Sequence, residues 1–336
     1  MTNGSAHNAP AAKVPPHVAL KRRLGTYLRK RNKMRDNPEV RQARFLAARL
    51  EQGPIDVLHL GASESLFTAD YDEDKRTLPQ MIAEGLPDGL QMHSVAGAGY
   101  HPALFKQYVD IAAARGSRPL VIVGLCIRLG EPAWKYHPEY SYSRPLNALH
   151  KIDVAAPSKK FRAVVPLAKQ EDFDEHDKRE HPTVVGTRTI GEFRRLLKNP
   201  ESNGLTRDET VKLLLAYHLG ATGDLEPEYL ADATALGKRL RELDLPVVCY
   251  QMPLPIDQAA AVLGEEVRPH MLRRLKDLDD AFKAGYGDDV EIVQSGSGLV
   301  TEDFIDPNDG SEHVNEKGRR KITDDVLAAI ARRRAR

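Results

Sequence analysis

The chain has 336 residues, of which 41% are hydrophobic, enough to bury a sizeable core in one large domain or two smaller ones. Its 49 Lys and Arg stand against 48 Asp and Glu, so net charge gives no reason to expect a nucleic-acid or membrane partner for the molecule as a whole. No window approaches the roughly 18 apolar residues of a bilayer span, no export signal opens the chain, and two cysteines in apolar runs, Cys126 and Cys249, read as reduced core residues of a cytoplasmic protein.

Residues 1–16, rich in Pro, Ala and Asn, read as a disordered tail. Residues 17–52 carry a helical pattern broken at Asp36–Pro38, which predicts two helices. Between Lys13 and Arg49 there are twelve basic residues and two acidic ones, the one strong charge asymmetry in the chain. Such an arm suits an anionic partner such as RNA, an acidic carrier domain or lipid headgroups. The simpler expectation is a solvated amphipathic pair packing Leu24, Leu28, Phe45, Leu46 and Leu50 on the domain.

Strands and helices then alternate. "IDVLHLG" reads as a buried parallel strand, "TLPQMIAEGL" as a helix, "LQMHSVAG" as a strand, "PALFKQYVDIAAARG" as a helix and "PLVIVGLCI" as a strand. The pattern resumes with "PVVCYQMPL", a helix near Pro269–Gly285, "VEIVQSG" and a final helix from about Asn315 to Arg332. These runs predict an α/β fold, a three-layer α/β/α sandwich on a five-stranded, mainly parallel sheet of flavodoxin-like type. Its core spans residues 53–128 and 245–336. Residues 129–244 exceed the length of a crossover and read as a mostly helical inserted cap, including a charged stretch, "EDFDEHDKREH", expected to form a solvated face.

In a parallel sheet, ligands bind at the carboxyl ends of strands. Four segments fall there: "GASES", "AGAGYHP", "GLCIRLGEPAW" and "DPNDGSEHVNEKGR". In the last, His313 precedes a helix and follows Asp306, Asp309 and Glu312. A histidine held by a carboxylate and facing a serine is the arrangement that activates a hydroxyl, and Ser63 is its natural partner. Ser65 reads as a first-turn hydroxyl, Cys126 as a core residue, and His93, His101 and His137 as structural. Arg128 and Trp134 leave the end of a central strand and are placed to face a site.

These two blocks resemble the SGNH/GDSL hydrolases, whose first block ends a strand in Gly-Asp-Ser and whose last is Asp-x-x-His before a helix. The resemblance covers the sheet core. It implies Ser63 as nucleophile, His313 as base, and Gly97 or Gly99 as an oxyanion-hole donor, with no metal and no organic cofactor. There are three departures. Ala62 replaces the Asp, so that "GASE" resembles the Gly-Ser-Ser-Glu of the D-alanyl-lipoteichoic acid transfer protein branch. Cys126 stands where the family has its Asn donor, leaving backbone N–H groups and Arg128 to serve. Asp309 lies four residues before His313 rather than three; the choices are Asp309, then Asp306, or a dyad without an acid.

The resemblance implies a serine enzyme cleaving an acyl ester or thioester of a small molecule, carbohydrate or carrier. Two alternatives are acyl transfer in a biosynthetic pathway at the same Ser-His site and a non-catalytic binding protein using the basic arm.

Overall fold

A computed structural model describes residues 38–87, 89–139, 143–161, 168–183, 185–219, 223–306 and 310–335. The tail and most of the basic arm, with Leu24 and Leu28, lie outside the described residues. The arm's described part is α1 (Pro38–Glu51), where Val40, Ala43, Leu46, Ala47 and Leu50 are buried. Phe45, expected to pack with them, instead faces outward and is 52% exposed. The helical period explains this, because Phe45 falls between the buried 43/46/47/50 positions.

The core follows the predicted order. β1 (Val57–Gly61), α2 (Leu78–Gly85), β2 (Met92–Ala96), α3 (Pro102–Ala113) and β3 (Leu120–Leu125) lead into the insertion. Among the described residues the insertion holds α4 (Pro132–Lys135), α5 (Ser143–Leu149), α6 (Gln170–Asp177), a hairpin of β4 (Glu180–His181) and β5 (Arg188–Thr189), α7 (Ile190–Lys198), α8 (Arg207–Leu219) and α9 (Pro227–Glu242). The core resumes with β6 (Val247–Gln251), α10 (Ile256–Leu263), α11 (Val267–Tyr286), β7 (Glu291–Val293), the short α12 (Ser295–Gly298) and α13 (Glu316–Ala335).

The five core strands form one sheet in the order β2-β1-β3-β6-β7, and every pairing is parallel. This is the doubly wound order in which the first strand lies inside the sheet and a crevice opens beside its carboxyl end. All five residues of β1 and all six of β3 are buried, as a parallel strand covered on both faces requires. Each large apolar side chain so placed contributes about 1.5–3 kcal/mol by leaving water.

Leu58, Leu60, Val121 and Val123 face the layer of α1, α3, α9 and α11, whereas Val57, Ile122, Val248 and Tyr250 face α2 and α13. α9 packs on both α3 and α11, so the last helix of the insertion belongs to the sandwich layer itself. The charged stretch of the insertion is not wholly solvated. His176 and His181 turn inward, and the His176 ring bonds the Ala133 carbonyl at 2.9 Å.

Candidate active site

At Gly61 the strand ends and the chain turns at once into a 3-10 turn, Ser63–Ser65. Ala62 is extended and enters the turn without a side-chain cap. Ser63 is therefore the first residue of a helical turn, and its N–H has no intrahelical acceptor. Ser63 is half-buried, and no hydrogen bond engages its hydroxyl among the described residues. Ser65 is buried and donates its hydroxyl to the Ala62 carbonyl at 2.7 Å. The two hydroxyls of "GASES" thus differ: Ser65 is tied into the turn, and Ser63 is not hydrogen-bonded among the described residues.

The loop that follows reaches across to the histidine segment. Phe67 stacks on the His313 ring at 4.1 Å between centroids, and Tyr71 donates to the Ile305 carbonyl at 2.7 Å. Beneath them, Asp72 accepts from Arg319 at 2.8 Å, from the Ala69 N–H at 2.8 Å and from the Glu316 N–H at 3.0 Å. Arg319 also donates to the Asp74 carbonyl at 2.6 Å. Burial pushes the Asp72 carboxyl up, but the Arg319 hydrogen bond and the two amides outweigh it and hold it below its ordinary range. This clamp fixes the serine loop on the first turn of α13, directly after His313. His313 is half-buried. Asp309 lies outside the described residues, and Asp306 is exposed on the loop before it.

The end of β3 supplies the third side. Cys126 leaves the strand as the residue before a second 3-10 turn, and its carbonyl accepts from the Tyr229 hydroxyl. Its thiol is fully buried and pushed well above its ordinary value, by burial first and then by Glu312 and Glu64. It is held as a neutral thiol, not a nucleophile. Arg128 pairs with Glu312, donates to His218 Nδ1 at 2.8 Å and lies 4.1 Å above the Trp134 ring. Trp134 stacks in turn on His218, 5.3 Å away. Arg128 and Trp134 are therefore together, as their places in the sequence imply, and the guanidinium is committed to Glu312 and His218.

Gly97 and Gly99 lie beyond β2, whose last residue, Ala96, is paired with Gly61. A side chain at Gly97 would overlap the Tyr100 ring, and Gly99 has a left-handed φ of +70°. Each glycine thus has a conformational reason to be there besides any role as a donor.

Below the serine turn lies a polar chain that the motifs did not announce. Ser94, paired with His59 across β2 and β1, is 2.9 Å from His59 Nδ1. His59 Nε2 is 3.2 Å from the Tyr250 hydroxyl, which donates to Glu64 Oε1 at 3.2 Å. Glu64 Oε1 also accepts from the Ala62 N–H at 3.2 Å. Two glycines clear the path. A Cβ on Gly61 would sit 2.8 Å from the His59 ring, and one on Gly124 would sit 2.7 Å from the Tyr250 hydroxyl. Burial lowers His59 to about 3 and pushes Tyr250 well above its ordinary value. Glu64 is pushed up to about 8, by burial first and then by Glu312. Glu312 is also buried, yet Arg128 and His313 keep it below its ordinary range.

Glu312, His218, His59 and Tyr250 were missed as site residues. The signal for the last two was available: "VLHLG" and "VVCYQ" each place a polar ring within an apolar run, and a buried polar group needs a partner.

A scan against protein-family models finds no match to this chain. A search of curated proteins also finds none.

Proposed function

We propose that the protein is an SGNH-like serine hydrolase acting on an acyl ester or thioester. The observation that carries the reading is the meeting of the two loops: Phe67, four residues after Ser63, is stacked on His313, while no hydrogen bond among the described residues engages the Ser63 hydroxyl.

In the proposed reaction Ser63 Oγ attacks the acyl carbonyl and His313 takes the hydroxyl proton. The carbonyl electron pair moves to oxygen, where the Ser63 N–H and an N–H of Gly97 or Gly99 hold it. The carbonyl then re-forms, the bond to the alcohol or thiol breaks, and His313 returns the proton to that leaving group. Water repeats the sequence on the acyl-serine and releases the acid. The half-exposed Phe67 and neighbouring Leu66 offer an apolar surface to the acyl part beside His313. Asp309 stays the proposed partner of the imidazole.

Among the described residues no helix is long and apolar enough to cross a membrane. Both cysteines are buried free thiols, which suits the reducing cytoplasm in which we place the protein.

The test is labelling by a fluorophosphonate probe. Wild type should label, and Ser63→Ala and His313→Ala should lose labelling while remaining folded. Absence of labelling in the wild type, or equal labelling of Ser63→Ala, would reject the reading.

A further inference from the structure

The buried carboxyl of Glu64 has no role in the reaction just described, and its surroundings are unusual. It is 1% exposed, and no Lys or Arg pairs with it among the described residues. The guanidinium that leaves the end of β3, Arg128, is bound to Glu312. Oε1 receives two hydrogen bonds, from the Ala62 N–H and the Tyr250 hydroxyl. Oε2 is buried and finds no hydrogen-bond partner among the described residues. A buried carboxylate without a counterion is among the costliest groups a protein can hold, and it takes a proton instead.

The direction of the hydrogen bonds agrees. If Tyr250 donates its only proton to Glu64 Oε1, its oxygen must accept from His59 Nε2–H. His59 Nδ1 then accepts from Ser94. His59 and Tyr250 are each used once as donor and once as acceptor between the Ser94 hydroxyl, which donates, and a Glu64 oxygen that needs only to accept, which leaves Oε2 to carry the acid proton.

We propose that Glu64 is a positioning residue of the serine turn that acts as a neutral carboxylic acid, holding the Ala62 amide without placing a negative charge behind the oxyanion that forms at Ser63. The inference rests on the reading of Ser63 as nucleophile. The groups that face Glu64 or lie beside it are Tyr250 from β6, Cys126 and Arg128 from the end of β3, and Glu312 with His313 from the last loop; His59 follows from β1 and His218 from α8. Glu312 keeps its charge through Arg128. Ionised Glu64 would be a second, unpaired anion in the same pocket, repelling both Glu312 and the developing oxyanion. Its value of about 8 places that event just above neutrality.

The experiment compares wild type, Glu64→Gln and Glu64→Ala across pH 6 to 10, with two readouts: the rate of fluorophosphonate labelling, and stability to urea. Gln reproduces the neutral acid, with one acceptor and one donor, and cannot ionise. In wild type the labelling rate should fall about tenfold per pH unit above the titration of Glu64. Glu64→Gln should lack that limb and keep labelling within about tenfold of wild type at pH 7. Glu64→Ala, which frees the Ala62 amide, should label about a hundredfold more slowly than Glu64→Gln at every pH. In the urea series wild type should lose stability relative to Glu64→Gln as pH rises towards 8, because only the folded state holds the proton there. Glu64→Gln labelling as poorly as Glu64→Ala, or wild type and Glu64→Gln sharing one pH profile of stability, would overturn the proposal. If nothing labels at any pH, the reading of Ser63 fails, and the urea series still decides the state of Glu64.

Discussion

Two buried clusters of charge flank the serine turn, and they are built on opposite plans. The Asp72–Arg319 clamp is matched: one carboxylate meets one guanidinium, and both Asp72 oxygens accept. The Glu64–Glu312–Arg128 cluster is mismatched: its guanidinium pairs with Glu312, and among the described residues Glu64 has no cation and its Oε2 no hydrogen-bond partner. A matched pair holds loops in place. A mismatched one displaces protonation from its ordinary range, which is where chemistry tends to gather. The serine loop is fastened by the first cluster and tuned by the second.

The largest effect should come from breaking the matched pair. Arg319→Met strands the Asp72 carboxylate in the interior and should cost about 3–5 kcal/mol in urea unfolding, with little change in the labelling rate of the protein that stays folded. Arg128→Met should cost less, about 1.5–3 kcal/mol, because its side chain keeps 11% exposure, but it should also depress labelling by leaving Glu312 uncompensated beside His313. Equal effects of the two variants on labelling would erase the distinction drawn between the clusters. Gly124→Ala tests the space under the mismatched cluster. The new methyl would press on the Tyr250 ring, 2.9 Å from its Cζ, and should cost about 1–3 kcal/mol by overpacking, with a matching shift of the denaturation midpoint.

The smallest and most diagnostic effect is the sign of the pH dependence. Asp72 is held below its ordinary value of 3.8, so its contribution is present above that value and fades as pH falls through the lower folded value. Glu64 is raised from 4.5 to about 8, so its contribution is full below 4.5 and declines as pH climbs to about 8. Urea titrations of Asp72→Asn and Glu64→Gln against wild type should therefore diverge at opposite ends of the pH scale.

The architecture was legible because it rests on periodicity. Five apolar runs separated by amphipathic helices could pack only as a covered parallel sheet, and the observed strand order has that form. The serine turn and the histidine loop were legible because small residues and a helix start mark them in the sequence. The polar chain beneath was not, since His59, Tyr250 and Glu64 meet only through registers set by strands far apart in sequence, and Gly124 shows its purpose only once Tyr250 lies across it. Phe45 misled for the opposite reason: an apolar residue on a helix was assigned inward when its position on the turn pointed out.

The role of Ser63 as nucleophile is tested most directly by which atom carries the covalent adduct. Fluorophosphonate-treated protein, digested and read by peptide mass spectrometry, should show one phosphonyl group on Ser63 and none on Ser65 or Cys126. An adduct on Ser65 or Cys126, or an unmodified Ser63 in folded protein, would contradict it.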